Sequence, residues 1–133
     1  MGTKIFLTII TVLNLLFYSE PKQRDSFDTL SGYFKNSASK EIAAYFSPLI
    51  EMNILSDESE YSKAQAELIL RDFFLRNKPV SVKIIHRLSS NPNFRFAVLS
   101  YQTDNENFRV SVSMSREGEK FLIKVIRIEY DKE

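Results

Sequence analysis

His86 is the one histidine of this 133-residue chain, and so the one side chain whose ordinary pKa lies near neutrality. On a strand it shares a face with Val82 and Ile84, directed toward a sheet interior. Two roles fit that place: a general base or ligand contact in a pocket, or a histidine satisfied by a turn or a neighbouring backbone group. No oriented partner for it is evident in the sequence, which favours the second. Arg95, Arg109 and Arg127 interleave with aromatic residues. They make either a positive patch or, with Glu106, Glu117 and Glu129, a solvated face balanced by cross-strand charge pairs. The balance favours the solvated face, and Arg109 stays beside His86 as a candidate ligand contact.

Other chemistries are excluded by what is missing. There is no cysteine, and one histidine without an acidic cluster at ligand spacing is too little for a metal site. Glycine occurs only at positions 2, 32 and 118, so there is no glycine-rich phosphate loop and no nucleophile elbow. Asp57-Glu-Ser-Glu60 lacks the spacing and glycine of a calcium loop. Its acidity is expected to complement the N-terminus of the helix that follows. No cofactor is implied.

That helix is the clearest element. Ser62 is a good N-cap, Gln65 completes a capping box, and Tyr61 with Ala66 occupies the staple positions. Ala66, Ile69, Leu70, Phe73 and Phe74 recur at helical spacing. Leu68 and Leu75 widen the stripe, so the helix is expected to be covered on more than one side. Asn77-Lys78-Pro79 ends it. Before it, Phe27, Leu30 and Phe34 mark a first short helix, and Ile42, Ala43 and Phe46 a second that stops at Ser47-Pro48. Leu49 to Leu55 then reads as a strand.

After Pro79 the chain alternates. Val80, Val82, Ile84, His86 and Leu88 share a strand face. Phe94, Phe96 and Val98 share a face of the next, with Ala97, Leu99 and Tyr101 opposite. Phe108, Val110, Val112 and Met114 alternate with polar residues, the pattern of a half-buried strand. Phe121 to Tyr130 is apolar on both faces, with Phe121, Ile123 and Val125 opposite Leu122, Ile126 and Ile128, which suits a central position.

The N-terminus is a different object. Lys4 precedes an apolar run from Ile5 to Tyr18 that turns polar at Ser19-Glu20-Pro21. It is short for a membrane span, which needs about 20 apolar residues, and Asn14 interrupts it. A secretory signal peptide over 1–19 fits, followed by one domain over 20–133. A retained anchor is the alternative. Processing leaves 17 basic and 17 acidic residues, so nothing steers the domain toward nucleic acid. An exported domain without disulfides rests on its hydrophobic core.

Two helices, a strand, a long helix and four strands in a meander resemble the NTF2-like (cystatin-like) α+β fold. The run Tyr61-Ser-Lys-x-Gln-Ala, Phe73-Phe74 and Pro79, with Ile85-His86 and Phe108-Arg109-Val110, resembles more closely a family of secreted bacterial proteins of unknown function with that fold. The resemblance covers roughly residues 24–130. It implies a cone in which N-terminal helices and one long helix pack on a curved, mostly antiparallel sheet, with a pocket at the open end. Some enzymes of the fold use an Asp–His pair, or an Asp with tyrosines, inside the cone. By that likeness alone Asp72, Tyr101 and His86 take such roles, although Asp72 lies on the charged side of its helix. Tyr101 thus joins His86 and Arg109 as a candidate ligand contact, and no residue is assigned to catalysis.

The expectation is a periplasmic or extracellular module that binds a small molecule or a protein without catalysis. It has no membrane span after processing, and a homodimer through the sheet face is possible. The alternative is a dehydratase- or isomerase-type enzyme using the cone pocket.

Overall fold

The computed structural model describes residues 26–132. The apolar N-terminal run, and with it the expected signal peptide, lies outside them. Helix α1 (Ser26–Lys35) buries Phe27, Leu30 and Phe34 and stops where Ser37 takes a left-handed conformation with φ 55°. Helix α2 (Ser39–Ala43) buries Ile42 and Ala43. Strands β1 (Phe46–Ile54) and β2 (Asp57–Ser62) form a hairpin, and helix α3 (Lys63–Arg76) follows. Strands β3 (Ser81–Leu88), β4 (Phe94–Gln102), β5 (Asn107–Glu117) and β6 (Lys120–Tyr130) complete the chain. The six strands form one sheet in the order β2-β1-β6-β5-β4-β3. All neighbours are antiparallel except β1 and β6, which run parallel. Among the described residues no helix is long and apolar enough to cross a membrane.

The α3 start is built as its sequence dictates. The Gln65 backbone N–H donates to Ser62 Oγ at 3.3 Å, and the Ser62 N–H donates to Gln65 Oε1 at 3.3 Å. We expect Ser62→Ala to lower stability by about 1 kcal/mol. Ser113→Ala, on the polar side of β5, should change it by under about 0.5 kcal/mol. Equal shifts in denaturation midpoint for the two would refute a cap at Ser62.

Among the described residues helix α3 is covered on one side only. Ala66, Leu70, Phe73 and Phe74 are buried, whereas Leu68 and Leu75 are 61% and 76% exposed. The expected second covered side is absent, because both leucines sit outside the arc that meets the sheet.

The acidic segment before α3 is strand β2, not a helix-terminus charge. It pairs with β1 from Ile54↔Asp57 to Leu49↔Ser62, and the first turn of α3 itself holds no acid. The hairpin turn is Leu55-Ser56, with both residues at positive φ (51° and 80°). That is the geometry of a two-residue hairpin turn, here without the Asn or Gly that normally announces it. Strand β1 also begins at Phe46, three residues earlier than the sequence reading, and runs through Pro48.

Three irregularities in pairing bend the sheet. One lies between Ile84 and His86 on β3, one between Ser113 and Met114 on β5 opposite Lys124, and one between Phe46 and Glu51 on β1. The first two each insert one residue on one strand, which increases local twist and bend, and at the third residues 47–50 of β1 stand against Lys124 alone. At β6 the extra residue is Lys124, since Met114 pairs with Ile123 and Ser113 with Val125. The insertion changes the phase of the strand, so Ile123, Ile126 and Ile128 all reach the core. This corrects the expectation from alternation alone, which sets Ile123 opposite the other two. Lys124 donates through Nζ to the buried Ser47 Oγ at 2.9 Å and pairs with Glu117, tying β1 to β6 where their ladder is interrupted.

Candidate functional site

The concave face of the sheet is packed with rings along α3. Phe73 lies 5.2 Å from Phe108 and 5.6 Å from Tyr101, and Phe74 lies 5.7 Å from Phe34 and 6.2 Å from Tyr101, measured between ring centroids. This part of the cone is filled, not hollow. Tyr101 belongs to the filling. It is fully buried, its hydroxyl donates to the Asn77 carbonyl oxygen at 2.5 Å, and burial pushes its phenol above the usual range. It fastens β4 to the C-cap of α3.

His86 does not face the interior. The irregularity at Ile84/His86 pairs Ile84 with Leu99 but His86 with Val98, one residue out of phase. Val82 and Ile84 therefore point inward, while His86 turns to the outer face beside Phe96, with ring centroids 6.4 Å apart. The same phase change brings Arg87 onto the α1 side, where it pairs with Asp28 at 2.9 Å. With His86 exposed, His86→Gln should move the denaturation midpoint by less than about 0.5 kcal/mol equivalent. A larger loss would mean the histidine is packed as the sequence reading had it.

Arg109 also lies on the outer side of the sheet, between Ser100 of β4 and Glu129 of β6, and 3.8 Å from Asp131. It borders an open depression of about 570 Å³ with Asn53, Leu55, Ser56 and Tyr130. The three sequence candidates are thus not brought together. Tyr101 is inside, His86 and Arg109 are outside, and the outer two are separated by β4 and by a step along it. Asp72 pairs with Arg76 on the exposed side of α3, as its place in the sequence indicated. Among the described residues no group of three or more metal-ligating side chains gathers.

The cone opens at its other end. There a cleft of about 500 Å³ lies between α1, α2 and the β4 and β6 strand starts, lined by Tyr33, Tyr45, Arg95, Phe121 and Leu122, with Glu41 and Lys120 at the edge. Tyr33 comes from α1 and packs half-buried against the core, as Tyr45 does from the segment joining α2 to β1. Tyr45 is fixed by its own backbone, whose carbonyl accepts from the Ile123 N–H at 2.7 Å. Arg95 comes from the inward face of β4, in phase with Ala97, Leu99 and Tyr101. Its guanidinium lies 3.8 Å from the centroid of the Phe121 ring, and Nη1 donates to Ser26 Oγ at 3.3 Å. The expectation from sequence for Arg95 is a charge on a patch or a solvated face, and the structure places it inside the cleft instead. The signal that could have found it was its phase, since it alternates with the inward residues of its own strand. Tyr33, Tyr45 and Phe121 carried no signal beyond apolar spacing.

The comparisons agree with this architecture. The family model described as "Domain of unknown function (DUF4783)" matches residues 27–129. The crystal structure of a DUF4783 family protein from Bacteroides uniformis ATCC 8492 superposes with a TM-score of 0.74 at 27% identity, over 78% of this chain and 95% of that one. A DUF4783 family protein from Bacteroides fragilis YCH46 gives 0.71 at 26% identity, over 77% and 95%. A domain of unknown function with a cystatin-like fold from Nostoc punctiforme gives 0.62 at 9% identity, over 77% and 70%, a likeness of fold alone. No curated protein matches the sequence. The described residues, three helices on a curved six-stranded sheet, have the NTF2-like, cystatin-like fold, and the chain belongs to the DUF4783 family.

Proposed function

We propose that the protein is an exported binding module without catalytic activity, whose ligand sits in the cleft between α1, α2 and the strand starts. The observation that carries this is the division of the concave side. Along α3 it is filled by Phe34, Phe73, Phe74, Tyr101 and Phe108, while the opening beyond is walled by Tyr33, Tyr45 and Phe121 around one fixed cation. An acid–base pair would be the requirement for a dehydratase or isomerase. The one histidine stands on the opposite face of the sheet from this cleft, which supports binding over turnover.

The test is a ligand-observed NMR screen of small aromatic and polar compounds against the purified protein. Hits should be lost on Tyr45→Ala and kept on His86→Gln. Hits that survive Tyr45→Ala, or that map to the outer face, would overturn the cleft assignment. Turnover of any hit by the folded protein would replace binding with catalysis. Export rests on the apolar run after Lys4 and the polar switch at Ser19. Intact-mass measurement on native material should show the first ~19 residues missing; full-length protein in the cytoplasm overturns it.

A second reading, self-association through the sheet, is favoured by one observation. The outer face carries half-buried Phe94, Phe96, Val98 and Val125, and among the described residues no helix lies over them. Analytical ultracentrifugation decides it: a dimer that Phe96→Asp converts to monomer supports this reading, and a monomeric wild type removes it.

A further inference from the structure

We infer that the cleft selects a small aromatic or flat apolar acid, its carboxylate held by Arg95 and its body between Tyr33, Tyr45 and Phe121. This rests on the proposed cleft and adds the chemical class of its ligand.

The argument begins with what fixes Arg95. An arginine on a surface strand is ordinarily mobile, and immobilising it costs rotamer entropy. Here the guanidinium is held from two directions, by the Phe121 ring beneath its plane and by Ser26 Oγ at one edge. Stacking occupies a face of the planar group and leaves its in-plane N–H donors directed elsewhere. A guanidinium has five such donors, and Ser26 accepts from one nitrogen. Among the described residues no carboxylate stands within ion-pairing distance of it, whereas Arg76, Arg87, Arg109 and Arg127 each have one. Arg95 is therefore a half-buried cation of the concave side, held in place with no carboxylate beside it among the described residues.

The surroundings decide the kind of anion. A guanidinium edge matches a carboxylate in two parallel hydrogen bonds. A phosphate dianion would call for several cations or a nest of backbone N–H groups. The cleft offers Lys120 as its second cation, sets Glu41 against it, and brings no glycine to its lining. One unit of negative charge is what this balance accommodates. The remaining walls are rings, which favour a flat apolar body through stacking and edge contacts. A volume of about 500 Å³ suits a small molecule.

Phenylacetate and phenylacetamide are the probes, since they differ in charge and hardly in shape. Each is titrated into isotope-labelled protein, following the backbone and ring resonances of Tyr33, Tyr45 and Phe121. Phenylacetate should give saturable shifts at those residues with affinity about tenfold above the amide, the difference expected for one charge-assisted hydrogen-bonded pair. Arg95→Gln should abolish that preference, with retained amide dispersion showing that the variant is folded. Tyr45→Ala should weaken both probes together. Equal affinity for acid and amide in the wild type, or a preference that survives Arg95→Gln, overturns the acid assignment and leaves the cleft standing. Absence of saturable shifts at the cleft with either probe up to its solubility overturns the acid assignment. The cleft itself then stands or falls on the wider screen.

Discussion

Phe73→Ala should remove about 3–5 kcal/mol of stability, the range for truncating a buried phenylalanine to alanine. Phe73 is 4% exposed, and the rings of Tyr101, Phe108 and Phe74 surround it at 5.2–6.3 Å between centroids. Removing the ring leaves a cavity whose walls come from α3, β4 and β5. These are rigid elements that cannot collapse together without breaking ladder pairs. Small domains keep roughly 5–15 kcal/mol of net stability, so the change is a large part of the whole. Leu68→Ala on the same helix is the control. Leu68 is exposed, and its loss should cost under about 0.5 kcal/mol. Urea midpoints of the two variants, at unchanged slope, are the readout. Similar midpoints for both would mean that α3 presents a different face to the sheet.

The same helix shows what the residues alone could reveal. Its capping box is a local device, and its apolar stripe has a period that nothing interrupts, so start, stop and buried stripe were legible, although Leu68 and Leu75 made that stripe look wider than it is. Strand β5 was legible for the same reason, with apolar and polar residues alternating from Phe108 to Ser115. What failed to be legible was every place where one residue changes the phase. The insertions at Ile85 and Lys124 leave alternation intact on either side, so each half reads correctly and the join does not. His86 was misplaced by the first of these, and Ile123 by the second. The β1–β2 hairpin was hidden by its turn, since Leu55-Ser56 adopts positive φ without the residue types that favour it. An acidic strand beside a helix start then had a simpler electrostatic explanation. The cleft was illegible because it is made by α1, α2 and the starts of β4 and β6 meeting, and Tyr33 and Tyr45 become walls only through that meeting. Arg95 alone had a readable phase.

Tyr101→Phe tests the fastening of α3 to the sheet, and it does so through pH. The substitution keeps the ring and removes the hydroxyl that donates to the Asn77 carbonyl at the helix end. A carbonyl left without its donor costs about 1–3 kcal/mol, which sets the expected loss near neutral pH. The wild type carries a further dependence that the variant lacks. Burial holds the Tyr101 phenol protonated above its ordinary pKa of about 10. The unfolded chain releases that proton near pH 10 while the folded protein keeps it, so above pH 10 the native state binds more protons. Stability from this group is therefore complete below about pH 10 and declines as pH rises toward the higher folded value. The gap between wild type and Tyr101→Phe should be constant from pH 7 to 9 and narrow steadily above pH 10. Every other ionisable group is common to both proteins and cancels in the difference. Urea denaturation of the pair across that range is the measurement. A gap that stays constant to pH 11.5 would mean the hydroxyl is solvated in the folded protein and the link between Tyr101 and Asn77 contributes nothing.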